Sequence, residues 1–400
     1  MSKKTLVSVN PLRFLKIKPN RERIIEEAPL NALPQTYAIN ELSSSLHPKK
    51  QYLKIADIQI WDENCKSFTL VPDVSQGTHK LAYFKAGAYL SVFLDNEKWS
   101  ISRPYSISSS PKEALDGKYV LTIKRVSQGL ASNYMLDHWK IGDKVTTTGP
   151  LGEFVYMPMR DGKTVIGIAG GSGITPFHSF AKAIVDGDED FRLILLYGSR
   201  REKDILFKNE FAELERKSDK IKIIHVLSDE EIEGYEHGFI TANLIRQYAP
   251  KDNYSIFLCG PQAMYQFLDQ EIKKLDLESK WVRHELQGEI HNPKQLEDYP
   301  KDRVVPDTIQ MTVSVCDEIH IFTANTEDTI LQSLEKHHIA APAHCRSGEC
   351  GWCHSLLLDG EVYCPKSVEH RREADNKFGY IHPCCSFPLS DIHIKIPPIQ

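Results

Sequence analysis

Hydrophobic and polar positions alternate along the part of the chain between residues 51 and 154. At residues 52–60 and 119–126, hydrophobic side chains recur at every second position over part of each segment. Successive side chains of a strand point to opposite faces of a sheet, so this period is typical of strands with one buried face. Short segments of this kind, separated by turn residues, predict an all-β barrel or sandwich.

The pattern changes between residues 162 and 287. Hydrophobic runs rich in β-branched residues are separated there by stretches with helical character. Such runs are typical of parallel strands that are covered by helices on both faces. We therefore predict an α/β domain, with strands at residues 164–169, 191–197, 221–227 and 254–258.

The remaining segments are polar or mixed. A short helix is predicted at residues 41–44, and an amphipathic helix at residues 329–336. The polar segment 288–306 contains three prolines and no clear periodicity, which is typical of a linker. The predicted division is an N-terminal extension without an assigned function (1–50), a β domain (51–158), an α/β domain (159–287), a linker (288–306) and a C-terminal domain (307–400).

Charge and hydrophobicity exclude several classes of protein. The formal net charge of −5 argues against a general nucleic-acid binder. No hydrophobic run approaches the roughly 18 residues that a membrane-spanning helix needs, so no membrane span is predicted. The first residues have two lysines but no hydrophobic stretch behind them, unlike a secretory signal. We therefore expect a cytoplasmic protein, in a compartment that keeps its thiols reduced.

Three cysteines lie close together near the C-terminus. Cys345, Cys350 and Cys353 have the C-x4-C-x2-C spacing that holds a plant-type [2Fe–2S] cluster. Gly348 and Gly351 would allow the sharp turns that such a loop needs. Zinc is the main alternative, because Cys350 and Cys353 also form a C-x2-C pair with histidines nearby, but structural zinc usually uses two separated pairs. The adjacent Cys384 and Cys385 both offer a fourth ligand.

A glycine-rich turn at residues 170–176 follows a predicted strand and precedes a predicted helix. Its glycines would let the backbone approach a pyrophosphate, and a helix N-terminus favours negative charge. Thr175 is expected to be the N-cap, and Pro176 stands where the dinucleotide fingerprint has its third glycine. Many such turns bind nothing, but the position between a buried strand and a helix favours phosphate binding.

Four motifs follow one another in the order of a known family. They are Arg-Pro-Tyr-Ser at 103–106, Gly-Pro-Leu-Gly at 149–152, the turn at 170–176 and Cys-Gly-Pro at 259–261. In this order they resemble the ferredoxin–NADP reductase superfamily. With the cysteine loop, residues 51–400 resemble bacterial NADH-dependent flavin and iron–sulfur reductases, such as the reductases of ring-hydroxylating oxygenases and of hybrid-cluster protein.

The resemblance implies a fold of three domains. These are an antiparallel β-barrel flavin domain that binds FAD, a parallel-sheet α/β domain that binds NAD, and an α+β (β-grasp) [2Fe–2S] ferredoxin domain. It also implies Cys384 as the fourth ligand, because ferredoxin modules of the family often end in Cys-x3-Pro-x-x-Asp, matched here by Cys384, Pro388 and Asp391. The implied metal ligands are Cys345, Cys350, Cys353 and Cys384.

The resemblance also implies roles for residues of the two nucleotide sites. Arg103 would hold flavin phosphate, Tyr105 would stack on the isoalloxazine, and Ser106 would hydrogen-bond the flavin nitrogen that receives hydride. Cys259 would lie beside the nicotinamide, although a buried thiol at a strand end is the plain alternative. The predicted catalytic residues are Ser106, Cys259 and Glu285. Glu285 would interact with the nicotinamide or with a proton. The residues assigned to cofactor binding are Arg103, Pro104, Tyr105, Ser106, Lys124, Gly129, Ala131, Ser132, Gly171, Gly173, Thr175, Cys259, Gly260 and Pro261.

Two departures from the family pattern bear on these roles. NADPH users of the family tend to place a Ser-Arg pair after the third strand of the dinucleotide domain, where this chain has Ser228, Asp229 and Glu230. Two carboxylates would repel a 2′-phosphate, so NADH is predicted. Arg200 and Arg201, after the preceding strand, would instead attract that phosphate, but we interpret them as solvated surface residues. Leu286 stands where an aromatic residue is common.

Together these features predict an electron-transfer reductase. Electrons would pass from NADH to FAD, then singly to the [2Fe–2S] cluster, and then to a separate acceptor protein. That acceptor would be an oxygenase, a hybrid-cluster protein or another anaerobic redox enzyme. The alternative is a redox-sensing or electron-transfer subunit of a larger complex without free NADH turnover.

Overall fold

The computed structural model describes residues 15, 17–28, 37–96, 99–127, 129–285, 290 and 292–398. The chain falls into two compact units, Met1–Ser45 and Leu46–Gln400. Helix α1 (Ile17–Glu26) buries no residue, and helix α2 (Ala38–Leu46) contains the helix predicted at 41–44. No helix within the described ranges is long and apolar enough to cross a lipid bilayer.

Six antiparallel strands form the first sheet of the larger unit. Their order across the sheet is β4-β3-β6-β1-β2-β5. A bridge between Ile107 and Leu121, and a 2.8 Å hydrogen bond from Ser108 N to the Val120 carbonyl, join the two edges of this sheet. The sheet therefore curls into a barrel, as predicted. The strands are β1 (Gln51–Asp62), β2 (Cys65–Pro72), β3 (Tyr89–Asn96), β4 (Trp99–Ser106), β5 (Tyr119–Lys124) and β6 (Lys144–Thr147).

Alternating side chains of these strands fill the barrel. Leu53 and Ile55 of β1 pack with Tyr119, Leu121 and Ile123 of β5 in one buried cluster. These are the hydrophobic positions of the two segments whose alternation predicted strands. Two helices complete this domain, α3 (Pro111–Leu115), which begins with a capping box at Ser110 and Glu113, and α4 (Leu130–His138).

The second sheet is parallel throughout, with strand order β10-β9-β8-β7-β11-β12. Its four long strands coincide with the four predicted hydrophobic runs. Helices lie on both faces, because separate buried clusters form on the two sides of the sheet. The strands are β7 (Thr164–Gly170), β8 (Arg192–Ser199), β9 (Ile221–Leu227), β10 (Glu236–His237), β11 (Tyr254–Cys259) and β12 (Val282–His284); the helices are α5 (Thr175–Asp186), α6 (Lys208–Lys217), α7 (Ala242–Tyr248) and α8 (Gln262–Lys273).

The C-terminal domain has a mixed five-stranded sheet, ordered β14-β13-β19-β15-β17, and a small two-stranded sheet of β16 and β18. Helix α9 (Ile330–Lys336) begins with a capping box of Thr329 and Gln332 and packs on the larger sheet. The predicted α+β class is confirmed. The other elements are β13 (Thr308–Val315), β14 (Glu318–Asn325), β15 (Ser355–Asp359), β16 (Val362–Tyr363), α10 (Glu373–Lys377), β17 (Tyr380–Ile381), β18 (Phe387–Pro388) and β19 (Ile392–Ile396).

Part of the segment predicted as a linker packs against this domain. Ile290 and Tyr299 are buried in one cluster with Cys353 and Phe387. Isolated hydrophobic residues among prolines and charges have no period, so the sequence pattern did not indicate that they are buried. At these two positions the segment contributes to the core around the cysteine loop.

Candidate functional site

The cysteine loop connects α9 to β15, and the turn between β17 and β18 brings Cys384 to it. The sulfurs of Cys353 and Cys384 are 3.3 Å apart, and Cys350 and Cys345 form a second sulfur–sulfur contact. Within the described ranges, no group of three or more His, Cys, Asp or Glu side chains could hold a metal ion by itself. The four sulfurs nevertheless form one connected group, because Cys345 also contacts Cys384, and four converging thiolates are what a [2Fe–2S] cluster needs.

Backbone N–H groups of the loop point at these sulfurs. Ser347 N and Cys350 N each lie 3.4 Å from Cys345 Sγ, and Gly348 N lies 3.3 Å from Cys384 Sγ. Such donors stabilise thiolate charge and tune the reduction potential of a cluster. The positive φ of Gly348, +78°, makes this path possible, and a Cβ there would lie 2.6 Å from the Val368 carbonyl oxygen. The donor set therefore fits a thiolate-ligated cluster.

The adjacent residue Cys385 has different neighbours. Its sulfur is 3.8 Å from Cys364 Sγ and 3.6 Å from the His382 carbonyl oxygen. Cys384 instead lies against Cys353. The structure thus turns Cys384, and not Cys385, toward the sulfurs of the loop.

The Arg-Pro-Tyr-Ser motif forms the end of β4. Ser106, its last residue, is opposite Tyr89 of β3 in the strand register, and Tyr105 packs partly against the barrel core. Arg103 Nη1 donates to the Ser102 carbonyl at 2.9 Å and lies 3.5 Å from Glu335 Oε2 in the C-terminal domain. The residue predicted to hold flavin phosphate therefore lies where the flavin domain contacts the cluster domain.

A second group of predicted flavin ligands lies at the start of α4. Gly129 is the N-cap residue and provides no side-chain cap, while Ala131 and Ser132 are buried in the first turn. A Cβ on Gly129 would lie 2.9 Å from Val126 Cβ and 2.7 Å from Ser132 Oγ. Lys124 ends the preceding strand, β5. An uncapped helix N-terminus is suited to a phosphate, and the lysine that ends the strand before it would add positive charge.

The glycine-rich turn follows β7 and leads into α5. Gly171 has a φ of +55°, and a Cβ on Gly173 would lie 2.1 Å from the Cys259 carbonyl oxygen. Gly173 is thus required for the turn to touch the end of β11. The expectation that Thr175 is the N-cap was wrong: Thr175 is already helical, and its hydroxyl donates to the Ser172 carbonyl at 3.0 Å.

The turn at 171–174 lies beside the predicted nicotinamide residues. Cys259 ends β11, Gly260 and Pro261 lead into α8, and Glu285 follows β12 next to it. Glu285 N donates to the Leu258 carbonyl at 2.8 Å, and Tyr265 Oη donates to the Glu285 carbonyl at 3.1 Å. Burial, followed by the nearby Glu285 carboxylate, raises the pKa of the Cys259 thiol well above its ordinary value. Leu286, where the family often has an aromatic residue, lies outside the described residues.

Asp229 and Glu230 lie at the carboxyl edge of the parallel sheet, beside the loop after β8. Asp229 N donates to the Arg200 carbonyl at 3.0 Å. The Glu230 carboxylate accepts a 2.9 Å hydrogen bond from Glu202 N and so holds the neighbouring turn. Asp229 is exposed, whereas Glu230 already has a structural partner.

The sequence did not single out Tyr89, which lies at the meeting point of the three domains. Burial raises the pKa of its phenol, and the Cys345 and Cys350 sulfurs and Glu285 raise it further. Its neighbours thus include both the cysteine loop and the nicotinamide side. A Cβ on Gly152 would lie 2.9 Å from the Tyr89 ring, so the Gly-Pro-Leu-Gly motif is needed for its packing. Gly152 is therefore the sequence feature that could have indicated that a buried ring packs against this motif.

Two serines of the barrel hold the backbone just before Cys345. Ser91 Oγ donates to the His344 carbonyl at 3.1 Å, and Ser102 Oγ donates to the Ala343 carbonyl at 2.9 Å. Both serines are buried. The cysteine loop therefore rests directly on strands β3 and β4, the second of which carries the flavin motif. A three-domain oxidoreductase with flavin, dinucleotide and iron–sulfur sites is the class that this arrangement defines.

Three family models match the chain in the same order. They are the oxidoreductase FAD-binding domain over residues 53–156, the oxidoreductase NAD-binding domain over 168–270, and the 2Fe-2S iron-sulfur cluster binding domain over 313–389. The chain belongs to the ferredoxin–NADP reductase superfamily, in the group with a C-terminal plant-type ferredoxin domain. Its cofactors are FAD, NADH and a [2Fe–2S] cluster.

Individual relatives cover most of the chain. The ferredoxin reductase component of 3-ketosteroid-9-alpha-monooxygenase from Rhodococcus rhodochrous is 28% identical over 79% of this chain and 88% of the relative. NADH oxidoreductase HCR of Escherichia coli K12 is 24% identical over 78% and 89%. The crystal structure of phthalate dioxygenase reductase is 26% identical, with a TM-score of 0.62 over 87% of this chain and 98% of that one. The chain is an NADH-dependent oxidoreductase that passes electrons through FAD and [2Fe–2S] to a separate acceptor protein.

Proposed function

We propose that the acceptor is the terminal oxygenase of a multicomponent oxygenase system, so that this chain is its reductase component. The names of the Rhodococcus rhodochrous relative and of the phthalate dioxygenase reductase support an oxygenase as the acceptor. The role as a reductase component rests on one structural observation, the contact of the cysteine loop with β3 and β4 through Ser91 and Ser102. This contact gives a path from flavin to cluster within one chain, by which electrons would leave singly.

We assign the four cluster ligands as two pairs. Cys345 and Cys350 would hold one iron, and Cys353 and Cys384 the other, because the sulfurs of each pair touch. The further contact between Cys345 and Cys384 would place the two irons side by side. The N–H groups of Ser347, Gly348 and Cys350 would stabilise the thiolates. When bound, FAD accepts hydride from NADH, and the cluster allows electrons to leave one at a time.

The residues of the two nucleotide sites would act by binding and orientation. Lys124 and the N-terminus of α4, with Gly129, Ala131 and Ser132, are suited to the FAD pyrophosphate. Arg103 would reach flavin phosphate, while Pro104, Tyr105 and Ser106 would face the ring system. Gly171, Gly173 and Thr175 would hold the NADH pyrophosphate. Cys259, Gly260, Pro261 and Glu285 would border the nicotinamide and exclude water from it.

The domain boundaries and the compartment also belong to this proposal. We assign residues 51–158 to FAD, 159–287 to NADH and 307–400 to the cluster, and we place the protein in the cytoplasm. None of the nine cysteines, all within the described ranges, forms a disulfide, and neither does the close pair Cys364 and Cys385, which suits a reducing compartment.

Reconstitution with candidate acceptors tests the oxygenase assignment. The purified holoenzyme and NADH would be mixed anaerobically with each terminal oxygenase of the source organism and, separately, with a hybrid-cluster protein. We expect one oxygenase to be reduced at least tenfold faster with this chain than with NADH alone. Fast reduction of the hybrid-cluster protein, with every oxygenase left oxidised, would contradict the assignment.

A further inference from the structure

One carboxylate, that of Glu335, lies between two arginines that belong to different domains. Arg346 donates to it through two parallel hydrogen bonds, Nη1 to Oε1 at 2.7 Å and Nη2 to Oε2 at 2.8 Å. Arg103 Nη1 is 3.5 Å from Oε2. The Glu335 side chain is 11% exposed and that of Arg346 is 1% exposed, so water screens this group little.

The two arginines stand next to the two cofactor sites. Arg346 directly follows Cys345 in the cysteine loop, and Arg103 begins the flavin motif of β4. Arg346 has a φ of +58°, a region that side chains other than glycine rarely occupy. The double hydrogen bond to Glu335 helps to hold that unusual backbone. Through Glu335, the backbone at Cys345 is therefore tied to the segment proposed to hold the flavin.

The contact between Arg346 and Glu335 is charged, unlike the two serine contacts that also hold the cysteine loop. Ser91 and Ser102 hold the preceding carbonyls through neutral hydrogen bonds. The bonds to Glu335 join ionised groups in a fork geometry, which are roughly twice as strong as neutral ones and more specific in direction. Without the carboxylate, the buried Arg346 charge would lose this double hydrogen bond, which is unfavourable.

We propose that Glu335 is a positioning residue for electron transfer: its carboxylate fixes the distance and orientation of the cysteine loop relative to the flavin site. The proposal rests on the proposed roles of Arg103 and Cys345. In this proposal Glu335 contacts neither substrate nor cofactor, and it acts through Arg103 and Arg346. The serine contacts keep the domains together, so its loss would shift the loop and not release it.

The variant Glu335→Gln tests the positioning role, because glutamine has nearly the shape of glutamate but lacks its charge. In anaerobic stopped-flow measurements on the holoenzyme, NADH should reduce the flavin within twofold of the wild-type rate, since the NADH site is unchanged. Electron transfer from flavin to cluster should slow at least tenfold. The EPR spectrum of the dithionite-reduced cluster should also shift, because Arg346 has moved beside Cys345.

Asp328→Asn is the matched control. Asp328 lies just before α9 and accepts a 2.6 Å hydrogen bond from Lys336, the last residue of that helix. Its removal should leave both rates and the EPR spectrum unchanged. Glu335→Asp keeps the charge but reaches less far, so it should give an intermediate rate. If Glu335→Gln does not fold, this variant alone decides the question.

A wild-type flavin-to-cluster rate and a wild-type EPR spectrum in Glu335→Gln, or in Glu335→Asp if only that one folds, would overturn the proposal. An equal slowing in Asp328→Asn would also overturn it, because the effect would then come from the loss of any negative charge in or next to α9. Wild-type protein without flavin or without iron would instead contradict the proposed function. The two failures are therefore distinguishable.

Discussion

Cys384 and Cys385 are neighbours in sequence, but their sulfurs contact different residues. Cys384 lies 3.3 Å from Cys353, while Cys385 lies 3.8 Å from Cys364. Sequence spacing could identify the loop, but it could not separate these two residues without the family pattern. The direction of a side chain in a turn depends on local backbone geometry, which the structure supplies.

Replacing Cys350 by serine should separate the two halves of the electron path. We expect NADH-dependent reduction of ferricyanide, which the flavin supports directly, to stay within about twofold, and reduction of cytochrome c to fall to background, because serine is a poor ligand for iron. Steady-state assays with both acceptors measure this. Cys385→Ser is the control and should keep both activities. Retained cytochrome c reduction in Cys350→Ser would contradict the ligand assignment.

A single substitution, Asp229→Ser, should improve the use of NADPH. Asp229 is exposed at the sheet edge, whereas Glu230 holds Glu202 N and is better left in place. Removing one negative charge near a 2′-phosphate should raise kcat/KM for NADPH about tenfold, or ~1.4 kcal/mol. Steady-state kinetics with both nucleotides measure it. Glu233→Ser, an exposed carboxylate of the same loop, should change little; an equal gain there would point to net charge alone.

At the scale of elements, helix α5 joins the dinucleotide domain to the flavin domain through His178. Its Nδ1 lies 2.9 Å from the Ser108 carbonyl oxygen, so Nδ1 carries the proton and donates. The ring stacks on Phe207 at 4.1 Å between centroids. Burial, followed by the nearby Lys182, lowers the pKa of His178 from 6.5 to about 3. The residue is therefore neutral in the folded protein.

This lowered pKa predicts a loss of stability in acid. The unfolded chain binds a proton at His178 near pH 6.5, and the folded chain does not, so stability is fully present above pH 6.5 and declines as the pH falls toward 3. The slope tends to about 1.4 kcal/mol per pH unit for one proton. Urea unfolding between pH 5 and 7 should show a shallower slope in His178→Gln. An unchanged slope would mean that His178 is not held neutral.

Most elements followed from hydrophobic periodicity, because burial of one face or both faces determines where strands form. The strands β5, β7, β9 and β11 lie where the runs predicted them. The misassigned N-cap at Thr175 has a local cause: the turn at 171–174 is itself helical, so α5 continues from it without a capped break. The burial of Ile290 and Tyr299 depends on tertiary contacts that no local pattern records.

At the scale of the whole molecule, a buried ion pair of the dinucleotide domain also contacts the end of the flavin domain. Arg283 of β12 donates to both Asp161 carboxylate oxygens, at 2.9 Å and 2.7 Å, and also to the Glu153 carbonyl at 2.9 Å. The side chains are 5% and 0% exposed. Asp161 holds the Arg283 side chain in place, and Arg283 in turn holds the Glu153 carbonyl of the flavin domain, so the pair stabilises the contact between the two domains.

Breaking this pair should destabilise the protein strongly. Asp161→Ala leaves the Arg283 charge buried without its carboxylate, a loss of about 3–5 kcal/mol. Thermal unfolding followed by flavin release measures it, and Tm should fall clearly. Asp190→Asn breaks an exposed pair with Lys220 and should change Tm little. Equal effects of the two variants would contradict a structural role for the buried pair.

The functional site was predictable wherever a cofactor dictates local sequence, as in the cysteine loop and the glycine-rich turn. It was not predictable where domains meet. Tyr89 and Glu335 belong to no motif, and only the packing of the domains brings them beside the predicted residues. Arg346 lies inside the cysteine loop, but the spacing of the cysteines gives no indication of its bond to Glu335. Residues that connect sites differ in this way from residues that bind cofactors.

The account depends on one electron path within a single chain, from NADH through flavin to the cluster. Anaerobic NADH would be mixed with the holoenzyme and frozen at increasing times for optical and EPR spectra. We predict that the flavin absorption bleaches first and that the EPR signal of a reduced [2Fe–2S] cluster follows, without added protein. A bleached flavin with no cluster signal, in protein that holds its full iron and sulfide, would contradict the account.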